Sequence, residues 1–328
     1  MLINSYDGLM DTFKGKSLFP VYKVINDKNT DWQGKNAVLK DIFNPSKHNA
    51  FGFRIADEVG IGDFSVTGEG NGYNLSTVTP GFTSDFSFYE WTNSFEVTKT
   101  MMEDNITSQV AKKAGLFGIS EARTREKFRA ALLGGAKSGT TVTFCGTSFK
   151  TTTADGKALF ATDHTGKDGG VQSNKFANAL DATGFGKVIT AVQNFKDDKG
   201  DAVMLNPDTI IIGNYGGTKK SLFDVIGGDK APGTGNDGFN YLFGNWRVIV
   251  SPLLNAYLSE GEYIVLDSEY NKMSDGAVWG DRIEPEFETL LTEATRNFKM
   301  LGRSRYVAGF HDWRAFAIGG VSGATTIS

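Results

Sequence analysis

The spacing of hydrophobic positions changes along this chain, and each spacing predicts a different kind of element. Residues 1–50 mix apolar and polar positions without a sustained period, and Pro20 and Asn44-Pro45 interrupt them. Such a segment is typical of an extended arm with at most a short helix. From Phe64 to Thr98 apolar residues alternate with polar ones, which predicts β-strands, and Asn71-Gly72 between the first runs predicts a hairpin turn.

A helical spacing of apolar residues begins near Asp104-Asn105. It continues to Gly118, and a second run with the same spacing stops at Gly134-Gly135. We therefore predict one long helix that is broken near Gly118. Its second half is basic, with Arg123, Arg125, Lys127 and Arg129.

The rest of the chain alternates strand and helix signals, which indicates an α+β fold. Short strands and turns are predicted from Val142 to Ala177. They are followed by a helix at Phe185–Phe195, a buried strand at Thr209–Ile212 and a short helix after Gly216-Gly217. After a Gly-rich loop, strand patterns return at Trp246–Val250, Glu262–Leu266 and Phe298–Val307, and in a final run through Trp313 and Ile318.

Composition favours sheets and turns over a helical bundle. The 328 residues include 40 Gly and 25 Phe but only 7 Pro, which suits aromatic-rich strands joined by many turns. A chain of this length can bury a large core without disulfides. Its lone cysteine, Cys145, ends an apolar run and is interpreted as a small hydrophobic strand residue, consistent with a reducing compartment.

Charge and hydropathy exclude several classes of protein. A formal net charge of −4 gives no broad basic surface for sequence-specific DNA binding. The N-terminal residues lack the pattern of a secretory signal, and no segment approaches the ~18 apolar residues of a membrane span. We therefore expect a soluble protein that is not exported and has no membrane partner.

The stretch ADGKALFATDHTGKDGG, residues 154–170, is the most suggestive of chemistry because Asp163 adjoins His164. However, the histidines of the chain lie far apart, without the close spacing usual in zinc sites. The turn at Gly213–Gly217 follows a buried strand, as a phosphate loop would, yet it matches neither GxGxxG nor GxxxxGK[ST]. We therefore predict no catalytic residue, no cofactor and no metal ion.

Several segments carry a family resemblance by their order and spacing. They are ARTREKFRAALL, DGKALFATDH followed by QSNKFANAL, LNPDTIIIGN, WRVIVSPLL and GRSRYVAGFHDWRAFAIGG. In this order they resemble the major capsid proteins of tailed bacteriophages, which have the Hong-Kong-ninety-seven fold, and among those the head subunits of Mu-type phages. The resemblance covers nearly the whole chain.

The resemblance implies an α+β capsid fold with four parts. These are an N-terminal arm (1–52), an extended β-hairpin loop (53–97), a peripheral domain with a long spine helix (98–182 and 291–328) and an axial domain (183–290). Within the peripheral domain, Asp155-Gly156 would form the turn of a hairpin and Asp163-His164 a polar cap at its end. The suggestive stretch is then a structural loop.

The same resemblance implies a structural protein and not an enzyme. The chain would form the hexamers and pentamers of an icosahedral shell around double-stranded DNA, assembled in the cytoplasm of the bacterial host and retained in the virion capsid. Its partners would be other copies of itself, a portal, packaged DNA through non-specific contacts, and a separate scaffolding protein, because no Glu/Lys-rich heptads precede the arm. The alternatives are an encapsulin-type nanocompartment shell protein and a metal- or nucleotide-dependent hydrolase that uses Asp163, His164 and the Gly213 turn.

The extended loop and the long helix carry opposite charges. Between Arg54 and Lys99 the chain has acidic residues but no Lys or Arg, so the amine for an isopeptide cross-link is missing from the loop. If the loop lies over a neighbour's peripheral domain, as the resemblance implies, acid meets base there. The residues expected at this interface are Asp63, Glu69, Asp85, Glu90, Arg123, Arg125, Lys127 and Arg129. The alternative is that both are solvated faces, with the helix turned toward DNA.

Overall fold

Two four-stranded sheets organise the part of the chain that the computed structural model describes, which is residues 19–59, 64–73, 75, 79–98, 100, 107–167, 170–228, 240–244, 246–291 and 297–327. The first sheet has the order β1 (Asn44–Lys47), β12 (Ala277–Leu291), β13 (Phe298–Phe310) and β4 (Tyr89–Val97). The second has the order β10 (Arg247–Ser251), β9 (Thr209–Gly213), β11 (Tyr263–Leu266) and β14 (Phe316–Gly319).

Both sheets mix strand directions. In the first, β1 runs parallel to β12, while β12 with β13 and β13 with β4 are antiparallel. In the second, β10 runs parallel to β9, and the other two pairs are antiparallel. Strand β12 therefore shares a sheet with β13, although the resemblance assigned residues 277–290 to the axial domain. Strand β4, assigned to the extended loop, belongs to the same sheet.

A long helix, α2 (Thr107–Gly135), packs on the first sheet and ends at Gly135, as the sequence predicts. The predicted break at Gly118 is wrong, because the helix is continuous there. A Cβ atom at Gly118 would lie 2.2 Å from the backbone oxygen of Ile25. The glycine is therefore needed where another helix crosses α2.

That second helix, α1 (Phe19–Asn36), corrects the prediction of an extended arm with at most a short helix. Ile25 is fully buried against α2, and the side-chain amide of Asn29 donates to the Gly118 carbonyl at 3.0 Å and to Glu121 at 2.7 Å. The segment itself lacks a clear apolar face. Its helix is stabilised by contacts to residues far along the chain.

A two-stranded ribbon, β2 (Gly52–Val59) and β3 (Thr79–Ser87), packs beside the first sheet. At its base the rings of Phe53 and Phe86 stack at 4.9 Å and pack against Val278 and Val307 of the sheet. The strands stop well before Asn71-Gly72, so the predicted tight hairpin turn is wrong. Instead, the backbone N–H of Asn71 donates to the backbone carbonyl of Gly68, at 3.1 Å, and closes a turn there.

The second sheet confirms the predicted alternation of helix and strand in the middle of the chain. Strand β9 is buried along its whole length and lies between α3 (Ala182–Gln193) and α4 (Gly216–Ile226) in sequence. The remaining elements are α5 (Ser268–Met273) and the small pairs β5 (Thr141–Phe144) with β6 (Thr147–Lys150) and β7 (His164–Thr165) with β8 (Val171–Gln172).

Cys145 lies in the turn between β5 and β6, is exposed and has a φ of 49°. The prediction of a small hydrophobic strand residue is wrong, because Cys145 and the following Gly146, with a φ of 80°, form a tight hairpin turn with both central residues left-handed.

Candidate interaction surface

The basic half of α2 is divided between an inner and an outer face. Arg125 lies inside: its Nε atom donates to Glu121 at 2.5 Å, its Nη1 atom donates to Asp281 at 2.9 Å, and its guanidinium lies 4.6 Å from the ring centroid of Tyr306. Burial lowers the pKa of Arg125, but the two carboxylates more than compensate and raise it above its ordinary value. This arginine therefore binds within its own subunit, although its buried Nη2 atom has no hydrogen-bond partner in the described part of the chain.

Arg129, one turn further along α2, is engaged in the same way. Its guanidinium lies 4.0 Å from the ring centroid of Trp279, and Nη1 lies 3.3 Å from a carboxylate oxygen of Glu126. Glu126 is fully buried and also accepts the backbone N–H of Leu39, at 2.7 Å. Burial lowers the pKa of Arg129 and raises that of Glu126. These contacts fix α2 on the sheet.

The outer face of α2 carries cations and no carboxylate. Among residues 109–135, the exposed positions are Gln109, Lys112, Lys113, Leu116, Arg123 and Lys127. At about 3.6 residues per turn these positions fall on the same side of the helix and form one stripe along it. Of the four arginines and lysines predicted at an interface, only Arg123 and Lys127 lie on this stripe.

The predicted acidic partners are also divided. Asp85 pairs with Arg54 on the neighbouring ribbon strand at 2.6 Å, and Glu90 pairs with Arg303 of β13 at 2.6 Å. Glu69 is exposed beyond the ribbon strands. Asp63 lies outside the described residues. Asp85 and Glu90 are therefore paired with arginines away from the cationic stripe of α2.

Apolar side chains beyond the ribbon strands are fully exposed to solvent. Phe64 is 107% exposed, Val66 101%, Tyr73 102% and Leu75 96%. We call residues 64–75, where described, the ribbon tip. Apolar side chains that are gathered on one projecting segment and touch nothing in their own subunit are typical of a surface that binds a partner. Sequence reasoning used Phe64 and Val66 only as strand markers and missed this surface.

Asp155 and His164, in the stretch that suggested chemistry, form a buried structural pair. Nδ1 of the fully buried His164 lies 2.7 Å from an Asp155 carboxylate oxygen, and the imidazole stacks on Trp313 at 4.3 Å. Burial alone would raise the pKa of Asp155, but hydrogen bonds from His164 and Thr153 lower it below its ordinary value. Asp155 also turns the chain as predicted, since Gly156 has a φ of 80°.

Asp163 and His164 are not a functional pair, although they are adjacent in sequence. Asp163 is half-exposed and pairs with Lys157 at the surface, while His164 belongs to the core. The prediction that Asp163-His164 forms a polar cap is therefore wrong for His164. The loop needs a histidine at position 164 because its imidazole packs between the carboxylate of Asp155 and the indole of Trp313.

The turn at Gly213–Gly217 has one of its backbone N–H groups occupied by a carboxylate of the same subunit. At the start of α4 the backbone N–H of Gly217 already donates to the carboxylate of Glu260, at 3.0 Å. In the described part of the chain, no three His, Cys, Asp or Glu side chains are grouped to hold a metal ion. The helices that the structure describes are too short or too polar to cross a membrane.

A long helix on a four-stranded sheet, a projecting ribbon and a second sheet with its own helices together define a shell-forming capsid subunit. The chain belongs to the phage capsid protein family, whose sequence model matches residues 81–319. It is thus a structural protein of the virion, with the Hong-Kong-ninety-seven-like α+β fold that its sequence predicts. No curated protein sequence matches it.

Solved capsid structures share this fold at low sequence identity. A structure from Mycobacterium phage Patience has a TM-score of 0.53 and 8% identity, covering 95% of this chain and 90% of that one. The capsid of a native GTA particle has a TM-score of 0.51 and 11% identity, with 86% and 89% covered. The capsid of cyanophage P-SCSP1u has a TM-score of 0.51 and 10% identity, with 85% and 86% covered.

Proposed function

We propose that this chain is the major head protein of a tailed phage, and that its copies form hexamers and pentamers that close into an icosahedral shell around double-stranded DNA. The observation that carries the proposal is the ribbon tip. The base of the ribbon is packed into its own subunit, whereas Phe64 and Tyr73 at the tip contact nothing in that subunit. Covering these side chains with a neighbouring subunit would supply the apolar core of an interface.

The contact between neighbours also has an electrostatic part. Of the exposed members of the predicted set, Asp85 and Glu90 pair with arginines of their own subunit, which leaves Glu69 on the tip and Arg123 and Lys127 on α2 to face a neighbour. Asp63, outside the described residues, is retained in the proposal. Arg125, Arg129, Asp85 and Glu90 have partners in their own subunit, so they support the interface by fixing the surfaces that meet. Each exposed pair contributes only ~0–1 kcal/mol, and repetition around a capsomer adds these contributions.

The roles of the two sheets follow from this function. Residues 183–276 with β14 would face the capsomer centre as the axial domain, and the first sheet with α2 would form the peripheral domain. A separate scaffolding protein and a portal would guide assembly in the host cytoplasm. DNA would contact the inner surface without sequence specificity, since the net charge is −4 and cations are confined to local stripes.

Electron microscopy of the full-length chain, expressed alone and purified at several concentrations, tests the proposal. We expect rings of five or six subunits or closed shells. Shells that form during expression should also be assayed for DNA that they protect from nuclease. A chain that stays monomeric or dimeric at every concentration would overturn the proposal. Closed shells of one small size that enclose a host enzyme and no DNA would favour the nanocompartment alternative.

A further inference from the structure

Asn71-Gly72 on the ribbon tip is the only Asn-Gly step in the sequence, and it does not form the hairpin turn for which this pair is known. The turn that the structure shows ends at Asn71, whose backbone N–H donates to the Gly68 carbonyl at 3.1 Å. The peptide bond between Asn71 and Gly72 lies beyond this turn and before β3. Both residues are exposed to solvent. No regular element therefore fixes the backbone at this bond.

The side chain of Asn71 and the backbone nitrogen of Gly72 are both available for reaction. In the part of the chain that the structure describes, neither the Asn71 carboxamide nor the Gly72 N–H has a hydrogen-bond partner. A Cβ atom added at Gly72 would meet no other atom within 4 Å, so the space beside this nitrogen is open. Because glycine has no side chain, nothing on residue 72 hinders its nitrogen from approaching the carboxamide carbon of Asn71.

We propose that Asn71 is a site of spontaneous deamidation. The Gly72 nitrogen loses its proton to base and attacks Cγ of Asn71. A bond forms between this nitrogen and Cγ, the bond from Cγ to Nδ2 breaks, and Nδ2 leaves as ammonia after taking up a proton. Water then opens the cyclic imide. Cleavage of the new bond to Cγ gives aspartate, and cleavage of the original peptide bond gives isoaspartate. The only co-reactant is water.

Deamidation changes the charge and the backbone of the ribbon tip. Either product places a carboxylate between Glu69 and Tyr73, so the formal net charge of −4 becomes more negative by one. Isoaspartate also routes the main chain through the former side chain, which lengthens the tip by one carbon atom. The modification goes beyond the proposed function, because it needs no neighbouring subunit. It makes the tip more acidic as the subunit ages.

Asn194, at the end of α3, is a matched control within the same chain. It is also exposed, but its carboxamide donates to the Thr190 carbonyl at 2.9 Å. The N–H of the next residue, Phe195, donates to the Val192 carbonyl at 3.1 Å. Both groups that would react are therefore held by hydrogen bonds, and a bulky side chain replaces the glycine. Asn194 should keep its carboxamide under conditions in which Asn71 reacts.

The test incubates the full-length chain, kept dilute enough to remain unassembled, in water enriched in heavy oxygen at neutral and at mildly alkaline pH. Mass spectrometry then follows the peptides that contain Asn71 and Asn194. We expect only the Asn71 peptide to exchange its carboxamide for a carboxylate that contains heavy oxygen, as a mixture of aspartate and isoaspartate. The reaction should be faster at the higher pH, because the attacking nitrogen must lose its proton.

Two variants test the chemistry of ring closure. Gly72→Ala adds a side chain beside the attacking nitrogen, in space that the fold leaves open, and Asn71→Gln moves the carboxamide one bond further away. Neither variant should react measurably during the time in which half of the parent chain does. Equal rates for the parent and for Gly72→Ala would overturn attack by the Gly72 nitrogen. An Asn71 peptide that keeps its carboxamide as long as the Asn194 peptide would overturn the site, and would leave the proposed function standing.

Discussion

The guanidinium of Arg129 on α2 lies 4.0 Å from the ring centroid of Trp279 on β12, and Arg125 makes the same kind of contact with Tyr306 on β13. Contacts of this kind contribute about 2 kcal/mol when they are desolvated. Because carboxylates of the same subunit neutralise both arginines, the helix is fixed on the sheet by buried charge as well as by apolar packing. The helix can then present a fixed cationic stripe on its outer side.

Replacing Arg125 by Ala should strongly destabilise the subunit. The substitution leaves Glu121 and Asp281 without their cation in a buried site, and breaking a buried pair costs about 3–5 kcal/mol. Urea unfolding of the unassembled subunit measures this loss. Lys127→Ala, on the exposed side of the same helix, is the control and should change stability by less than about 0.5 kcal/mol. If Arg125→Ala lowered the free energy of unfolding as little as Lys127→Ala does, Arg125 would not be a structural residue.

Replacing His164 by Ala should destabilise the fold without removing an activity. The variant loses a ring stacked on Trp313 and a hydrogen bond to Asp155, so the free energy of unfolding should fall by about 3 kcal/mol. Asp163→Ala is the matched control, because it removes only a surface pair worth ~0–1 kcal/mol. Below the melting temperature both variants should assemble. A His164→Ala subunit that is as stable as the parent but fails to assemble would contradict the structural role.

Shells of this protein should contain no isopeptide cross-links from the extended loop. Residues 55–98 include no lysine, so the loop lacks the amine that would attack a neighbour's carboxamide. Assembled particles boiled in detergent and reductant should give a single band at the subunit mass of 35.6 kDa. A ladder of subunit multiples that survives this treatment is the contrary result.

Assembly should weaken as salt rises through the physiological range, since exposed charges are screened over about 8–10 Å there. Charge reversal of Arg123 and Lys127 to Glu should impair assembly, and Glu69→Lys should partly restore it. Light scattering during assembly measures both effects. Reversal of Lys220 and Lys272, exposed cations outside α2, controls for the change in net charge. Assembly that is indifferent to salt and to the α2 reversals would leave the apolar tip as the only adhesive.

Elements whose signal is local were predictable from the sequence. The buried run of β9 and the glycines that begin α4 and end α2 were placed to within a few residues. Helix α1 was not, because Ile25 and Asn29 are stabilised by contacts with α2, far along the chain. The long strand β12 was missed because acidic residues and Pro285 interrupt its apolar pattern.

The candidate interface was only partly predictable for the same reason. A basic helix looks uniform in sequence, and nothing near Arg125 or Arg129 reveals that Trp279, Asp281 and Tyr306 will cover one face. Acidic residues on the ribbon were recognised, but their pairing with Arg54 and Arg303 depends on strand register. The apolar tip could have been found from Phe64, Val66, Tyr73 and Leu75, which stand among polar and glycine residues.

A cryo-electron microscopy reconstruction of the assembled particle would show where each ribbon tip lies, and so whether neighbouring subunits meet there. We expect a closed shell in which Phe64 and Tyr73 are buried against a neighbouring subunit, while the ribbon base stays packed on Val278 and Val307 of its own subunit. A particle in which the tips remain in solvent, or fold back onto their own subunits, would contradict it.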